Sequence, residues 1–200
     1  INLHNRDCMV ALKQMGDNYF DLSIVDPPYG LEKKSMQGSG KLKHRILNTS
    51  DTSWDVSPKK EYFDELFRVS KNQIIWGGNY FIEFLNNTRC FLIWDKKQYM
   101  PTFSACEFAW TSFYKPSKIF TSRGELNKIH PTQKPVKLYE WMLMNYAKEG
   151  DKILDTHLGS GSIAIACHNL KFHLTACEID KDYFEAAKKR LEQHQAQKRL

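Results

Sequence analysis

The sequence predicts an α/β fold, a Rossmann-like arrangement in which a mostly parallel sheet is covered by helices on both faces. Short apolar runs alternate along the chain with stretches of helical periodicity, as in repeated strand and helix units. Acidic residues follow several of the apolar runs, where the strands of such a sheet end. The 200 residues, 42% of them hydrophobic, are enough for one core, so we expect a single domain over residues 1–200.

Seven strands and four helices are predicted. The strands are expected around residue 3 and at 22–25, 73–76, 90–94, 106–111, 152–155 and 173–177. The helices are expected at 59–69, 136–147, 163–170 and 181–193. Pro58 and Pro135 stand where the first turn of a helix tolerates proline, which supports two of the helix starts.

The composition favours some classes of protein over others. Lys and Arg outnumber Asp and Glu by 29 to 23, which favours a polyanionic partner without proving one. The five cysteines are an odd number without a Cys-x-x-Cys pair, and the histidines are scattered, so we predict reduced thiols and no metal site. No apolar stretch approaches the roughly 20 residues of a membrane span, so a cytoplasmic protein without membrane contact is expected.

The segment 30–57 is longer than most connections in compact domains, and we predict that it is a mobile, basic loop. Long loops beside strand ends are often functional, although an inert solvated insertion is the alternative. Its candidate phosphate-binding residues are Lys33, Lys34, Lys41, Lys43 and Arg45.

The tetrapeptide Asp26-Pro27-Pro28-Tyr29 follows an apolar run and is the first candidate site. The two prolines hold the backbone extended and leave the Pro27 carbonyl free to accept a hydrogen bond. A carboxylate and an aromatic ring then lie side by side, which suits a flat ring that carries an amino group. A plain strand-terminating turn is the alternative, because Asp and Pro are common in turns.

The run Asp155 to Ser162 is the second candidate site, because it reads as a strand end, a glycine turn and a helix start. Gly159 and Gly161 allow a ligand to approach the backbone closely, beside the free N–H groups of the helix. Glu178 ends the next predicted strand, where Rossmann-type sites place an acid for ribose hydroxyls. The strict dinucleotide spacing fails at Ala164, which disfavours NAD, and the phosphate-loop spacing fails around Lys41.

These two motifs, in this order, resemble the beta class of S-adenosylmethionine-dependent DNA amino-methyltransferases. The catalytic tetrapeptide precedes the cofactor cradle in that class, a circularly permuted order, and the segment from His130 to Pro135 stands just before the cradle. The resemblance extends from Asp7 to about Asp180. It implies double-stranded DNA as partner, and a homodimer is one expected assembly.

The resemblance also implies roles for individual residues. Asp26 to Tyr29 would be catalytic, Glu178 would hold the ribose hydroxyls, and the remaining cofactor contacts would be Asp7, Cys8, His130, Thr132, Lys134, Pro135, Asp155, Gly159, Ser160 and Gly161. Lys134 would face the cofactor carboxylate, with a solvated lysine as the alternative. Thr156-His157-Leu158 departs from the Pro-Phe usual in this cradle.

The expected reaction is methyl transfer to the exocyclic N6 amine of a flipped adenine. Family members with Asp in the first position mostly act on adenine, so Asp26 favours adenine over cytosine N4. No cysteine follows a proline, so the cytosine C5 route is disfavoured. RNA or protein-glutamine methylation, and a noncatalytic DNA-binding module, remain the alternatives.

Three further parts of the chain have candidate roles. Trp76 to Tyr80 is predicted either to line the base pocket or to form a plain turn. Trp94-Asp95-Lys96 and Glu107 come at the ends of two further strands, and they either face DNA or pair with one another. The segment 111–130 is short for the target-recognition region of this class.

Overall fold

Eight strands form one sheet in the computed structural model, which describes residues 1–31, 55–98, 104–125, 129–130 and 132–197. The strands are β1 (Asn2–Asn5), β2 (Phe20–Val25), β3 (Ser70–Trp76), β4 (Phe91–Asp95), β5 (Cys106–Thr111), β6 (Lys118–Thr121), β7 (Lys152–Asp155) and β8 (His173–Glu178). The helices are α1 (Cys8–Leu12), α2 (Lys60–Val69), α3 (Val136–Tyr146), α4 (Ser162–Leu170) and α5 (Lys181–Ala196). Two short 3₁₀ helices lie at Gly78–Tyr80 and Ile82–Phe84.

The strand order is β1-β8-β7-β2-β3-β5-β4-β6, and the sheet is mostly parallel, as predicted. Among the described strands, only β5 runs against its neighbours, since it pairs antiparallel with both β3 and β4. The start of β5 therefore lies at the edge where the parallel strands have their carboxyl ends.

The helices pack on both faces of the sheet, which confirms the predicted α/β class. Residues on one face of β2, such as Ile24, pack with the apolar sides of α3, α4 and α5. Val25 points to the other face and packs with α2 and with Leu12 of α1. Adjacent strand residues thus serve opposite layers, as the period of two in a strand requires.

The site is positioned by the pairing of β2 with β7. These strands are adjacent and parallel, with Leu22 opposite Ile153, although they are far apart in the chain. From β2 the chain continues through α2 to β3 on one side, and from β7 through α4 to β8 on the other. Such a reversal leaves a crevice at the carboxyl ends of the two strands, where open α/β sheets bind ligands.

One strand and one α-helix of the described residues were not predicted. β6 is only four residues long and mostly exposed, so it lacks the apolar run that identifies a buried strand. α1 is only five residues long, too short for a periodic pattern, and its N-terminus is capped by Asp7, whose Oδ1 accepts from Val10 N at 3.0 Å. No helix within the described ranges is long and apolar enough to cross a membrane.

Candidate active site

The tetrapeptide lies directly after β2, at the crevice beside β7. The phenol of Tyr29 donates a hydrogen bond of 2.7 Å to Oδ1 of Asp26. This bond fixes the carboxylate and the ring relative to one another, as the amine-binding prediction requires. The four residues all line one cleft, which argues against a turn with no other role.

The ring of Tyr29 has little space. It stacks on Tyr80 with a centroid distance of 4.9 Å and an interplanar angle of 24°. Gly77 lies against its edge, since a Cβ built there would be 2.2 Å from Cε1 of Tyr29. Gly77 also has φ of +70°, a conformation that favours glycine. The segment 76–80 is thus a turn, one of the two roles considered for it, and the turn supports Tyr29; its part in a base pocket stays a prediction.

The ammonium of Lys134 contacts both Asp26 and a second carboxylate. Its Nζ donates to Oδ2 of Asp26 and lies 3.1 Å from Oε2 of Glu107. Burial by itself lowers the pKa of Lys134, but the two carboxylates raise it above its ordinary value. Lys134 is therefore a buried cation, and the solvated alternative for this residue is wrong.

Glu107 also pairs with Lys96 across the antiparallel ladder. Nζ of Lys96 lies 2.5 Å from Oε1 of Glu107, so these two residues pair with one another, which is one of the two roles considered for them. Burial alone raises the pKa of Glu107, but Lys134 and Lys96 bring it below the usual range. Glu107 is near the start of β5 rather than at its end, and it reaches the site because β5 is antiparallel.

The glycine turn after β7 is tied to the acid at the end of β8. Gly159 N donates to Oε2 of Glu178 at 2.8 Å, and Asp180 N donates to Oε1 at 3.0 Å. Gly159 and Gly161 have φ of +49° and +72°, so both turns depend on glycine. A Cβ on Gly159 would have no atom closer than 3.9 Å, which leaves room above the turn.

Asp155 and His157 shape the turn from beneath. Oδ1 of Asp155 accepts from His157 N at 3.0 Å, and burial raises the pKa of Asp155 to about 8. Burial lowers the pKa of His157 to about 4, so its imidazole is neutral near pH 7. Nδ1 of His157 is 2.9 Å from Oγ1 of Thr156, which in turn is 2.6 Å from the phenol of Tyr62.

Arg190 connects the cradle to the segment before α3. Its Nη1 donates to the carbonyl of Ser160 and to Oγ of Ser162, both at 2.9 Å. Its Nη2 lies 3.0 Å from Oε2 of Glu125, whose Oε1 accepts from Val136 N at 3.0 Å. The guanidinium therefore braces two of the predicted binding segments against each other.

Residues of both predicted candidate sites line one cleft. Its lining includes the predicted residues Asp26, Pro27, Pro28, Tyr29, His130, Thr132, Lys134, Gly159, Ser160 and Glu178. Five other residues predicted to bind the cofactor are not part of this lining: Asp7, Cys8, Pro135, Asp155 and Gly161. Cys8 approaches the cleft through His157, with 4.0 Å between Sγ and Nε2, and burial raises its pKa to about 12.

Several residues of the site were not predicted. Tyr139 and Tyr183 line the cleft from helices, where an aromatic residue reads as ordinary core. Arg190 read as part of a solvated helix, and the packing of α5 against the cradle is a tertiary contact. A signal existed only for His157, which stands where the resemblance would place Phe.

Some predictions fall on residues that the structure does not describe. These include the basic residues Lys33, Lys34, Lys41, Lys43 and Arg45, and most of the predicted loop 30–57. Their role in DNA binding stays a prediction. Among the described residues, no group of three or more His, Cys, Asp or Glu side chains is placed to hold a metal ion.

Comparison with known proteins finds DNA methylases. The family described as DNA methylase matches residues 95–189, which include the cradle and Glu178. The type II methyltransferase M.HpaI of Haemophilus parainfluenzae is 26% identical over 224 aligned positions, covering 91% of this chain and 71% of that protein.

Solved structures share the fold at lower identity. The M1.HpyAVI–SAM complex matches with a TM-score of 0.63 and 21% identity, covering 95% of this chain and 99% of that one. The cytosine-N4-specific PvuII DNA methyltransferase matches with a TM-score of 0.66 and 14% identity, covering 94% and 85%. With the family match and the sequence relative above, this chain is similar to DNA methylases in sequence and shares its fold with solved DNA methyltransferases.

Proposed function

We propose that this protein transfers a methyl group from S-adenosylmethionine to an exocyclic amine in double-stranded DNA, and that the acceptor is N6 of adenine. One observation carries the proposal: the pair Asp26 and Tyr29 and the cradle of Gly159 and Glu178 line the same cleft. One site therefore contains a carboxylate that can accept hydrogen bonds from an amine and a glycine turn with an acid that can bind a nucleoside. The first residue of the tetrapeptide, Asp26, favours adenine over cytosine N4.

The cradle fits the cofactor. The open space above Gly159 admits a ligand against the backbone, and the sequence that follows begins α4. Each carboxylate oxygen of Glu178 accepts one backbone N–H and keeps a further lone pair, which can accept from a ribose hydroxyl. S-adenosylmethionine, when bound, supplies an electrophilic methyl group on a cationic sulfur.

Asp26 is arranged to accept hydrogen bonds from an amine. One of its oxygens accepts from Tyr29 and the other from Lys134, and each keeps lone-pair capacity. The lone pair of an exocyclic amine is delocalised into the base ring, so the amine is a poor nucleophile. Asp26 and the Pro27 carbonyl would accept its two hydrogens and direct its lone pair toward the methyl group.

Tyr29 provides the stacking surface in this proposal. A base must leave the duplex to reach the cleft, which costs a few kcal/mol of unstacking. Stacking on the Tyr29 ring, which Tyr80 and Gly77 hold in place, would offset part of that cost. The predicted basic loop would add contacts to phosphates.

Radioactive methyl transfer tests the proposal. The protein is incubated with tritiated S-adenosylmethionine and, separately, with unmethylated duplex DNA, RNA and protein. We expect label on DNA, and nucleoside analysis should find N6-methyladenine. Label on RNA alone would contradict the assignment of DNA as the substrate. If the labelled nucleoside is N4-methylcytosine, the methyl acceptor is cytosine and not adenine. If no substrate is labelled, the chain is not an active methyltransferase.

A variant then tests Asp26 itself. Asp26→Ala should abolish transfer and leave cofactor binding nearly intact, because the cradle does not depend on this side chain. Asp26→Asn preserves the volume beside Lys134 and should also be inactive, since its amide donates where the carboxylate accepts. Asp64→Ala, at an exposed position of α2, is the control. Wild-type rates in both Asp26 variants would remove Asp26 from the mechanism.

A further inference from the structure

The charges around Asp26 form a chain that extends beyond the cleft. In the described part of the protein, Nζ of Lys134 contacts Asp26 and Glu107, and Glu107 contacts Lys96. The Lys134 side chain is 1% exposed, whereas those of Asp26 and Glu107 are 17% and 23% exposed. Two carboxylates thus share one buried ammonium, and a second ammonium balances the set.

We infer that Lys134 and Glu107 are positioning residues, which hold the carboxylate of Asp26 in the orientation that accepts the amine of the substrate. The inference rests on the proposed function. It assigns Glu107 to the reaction although no motif of the sequence includes it, and it gives Lys134 a partner other than the cofactor.

The first step of the argument is orientation. A carboxylate at a strand end can rotate about its χ2 bond unless both oxygens are held. Tyr29 holds Oδ1 of Asp26 and Lys134 holds Oδ2, so the plane of the carboxylate is determined. Lys134 could not do this from a flexible position, because a long unbranched side chain has many rotamers. Glu107 restricts it by contacting the same Nζ at 3.1 Å.

The second step is charge. An ammonium paired with Asp26 alone would concentrate its charge on the oxygen that must accept the amine hydrogen. Because the Lys134 ammonium also interacts with Glu107, its interaction with Asp26 is weaker, and Asp26 can still accept a hydrogen bond from the amine. Removing Lys134 is a poor test, because Asp26 would lose its cationic partner and face Glu107, with Lys96 as the one remaining ammonium of the set, at a large cost in stability. Glu107 is therefore the residue to change.

The pKa of Lys134 gives a readout that simple structural damage would not reproduce. Charged and titratable groups surround Lys134 from several elements of the fold. The charged groups are Asp26 after β2, Lys96 after β4, Glu107 on β5 and Asp155 at the end of β7. The other titratable groups are Tyr29 after β2, His130 before α3 and Tyr139 on α3. Glu107→Gln removes one of the two anions that raise the pKa of Lys134, so this pKa should fall. Lys96→Met removes a neighbouring cation and releases Glu107 toward Lys134, so this pKa should rise.

The experiment combines kinetics with titration of the Lys134 ammonium by nitrogen-15 NMR in the full chain. In Glu107→Gln we expect kcat to fall by about 100-fold, the scale of a misplaced catalytic group, with cofactor affinity unchanged and a lower pKa of Lys134. Glu192→Gln makes the same change at an exposed position of α5 and should leave all three quantities unchanged.

The possible results separate the inference from the proposed function. If wild-type protein does not methylate DNA, the function is wrong. If wild-type is active and Glu107→Gln has a normal kcat, or a low kcat with an unchanged pKa of Lys134, the positioning role is wrong. Should Glu107→Gln fail to fold, Lys96→Met decides alone: a raised pKa of Lys134 supports the network and an unchanged one overturns it.

Discussion

Replacing Gly77 with alanine tests how closely the position of the Tyr29 ring controls the reaction. Gly77 follows β3 and turns the chain with φ of +70° before the short helix Gly78–Tyr80. It supplies no chemistry of its own. Any effect of an added methyl group at position 77 on methyl transfer must therefore act through the neighbouring residues.

The expected magnitude follows from the distances. An added Cβ would be 2.2 Å from Cε1 and 2.6 Å from Cδ1 of Tyr29, whereas carbon atoms pack at about 3.5 Å or more. The ring or the turn must move by roughly 1.3 Å to relieve this contact. A displacement of about 1 Å in a catalytic group costs on the order of 100-fold in rate. The left-handed conformation adds about 1–2 kcal/mol of strain for a residue with a side chain.

The assay separates displacement from strain by means of a matched control. Gly150→Ala has the same type of strain, with φ of +86°, but no atom lies within 4 Å of its added Cβ. Both variants should lose free energy of unfolding in urea, and Gly77→Ala should lose more, because it has the contact with Tyr29 in addition to the strain. Only Gly77→Ala should lose about 100-fold in kcat, while Gly150→Ala should keep the wild-type rate.

A Gly77→Ala variant with the wild-type kcat would refute the reasoning. The reaction would then tolerate the displacement of the Tyr29 ring or of the turn that the added Cβ requires. Equal losses of rate in both alanine variants would also refute it, since strain alone would then explain the effect. A crystal structure of Gly77→Ala would show whether Tyr29 or the turn has moved.

Three further predictions concern the cradle. Glu178→Gln should weaken S-adenosylmethionine binding by about tenfold, since a charged hydrogen-bond acceptor is lost, and it should leave DNA affinity unchanged. Calorimetry with each ligand measures both affinities. A cofactor affinity equal to that of the wild-type protein would contradict the role of Glu178. Arg190→Met should lower the free energy of unfolding by about 2 kcal/mol and weaken cofactor binding, because charged hydrogen bonds to the cradle are lost, whereas exposed Lys189→Met should do neither. Asp155, with its pKa raised to about 8, retains a proton in the folded state that the unfolded chain releases, so its stabilising contribution is present at low pH and is lost as the pH rises through about 8. Wild-type protein should therefore lose stability relative to Asp155→Asn between about pH 4 and pH 8 in urea titrations, and parallel curves would show that the carboxyl is not buried as described.

Most of the fold was predictable because the strands are short apolar runs with clear ends. β2, β3, β7 and β8 are found where their residues predicted them, with boundaries shifted by a few residues at most. β6 carries few buried side chains, so the information that makes it a strand lies in its pairing with β4. Pairing partners are distant in the chain and leave no local pattern.

The candidate site was predictable to a different degree for each type of residue. Asp26, Tyr29 and Glu178 stand at strand ends, and strand ends can be read locally. The contact of Lys134 with Asp26 joins residues over 100 positions apart, and nothing near Lys134 in the sequence indicates it. Arg190 is similar, because its helix reads as solvated until α5 packs beside the glycine turn.

The sequence by itself therefore determined the α/β class and the two motifs, and it predicted the chemistry proposed for them, because these depend on local patterns and on residue types. Only the tertiary structure decided which distant groups surround Asp26. The antiparallel direction of β5 brings the start of that strand, and with it Glu107, to the carboxyl edge of the parallel strands. Strand direction is set by packing and pairing across the whole sheet, so no short stretch of the chain contains it.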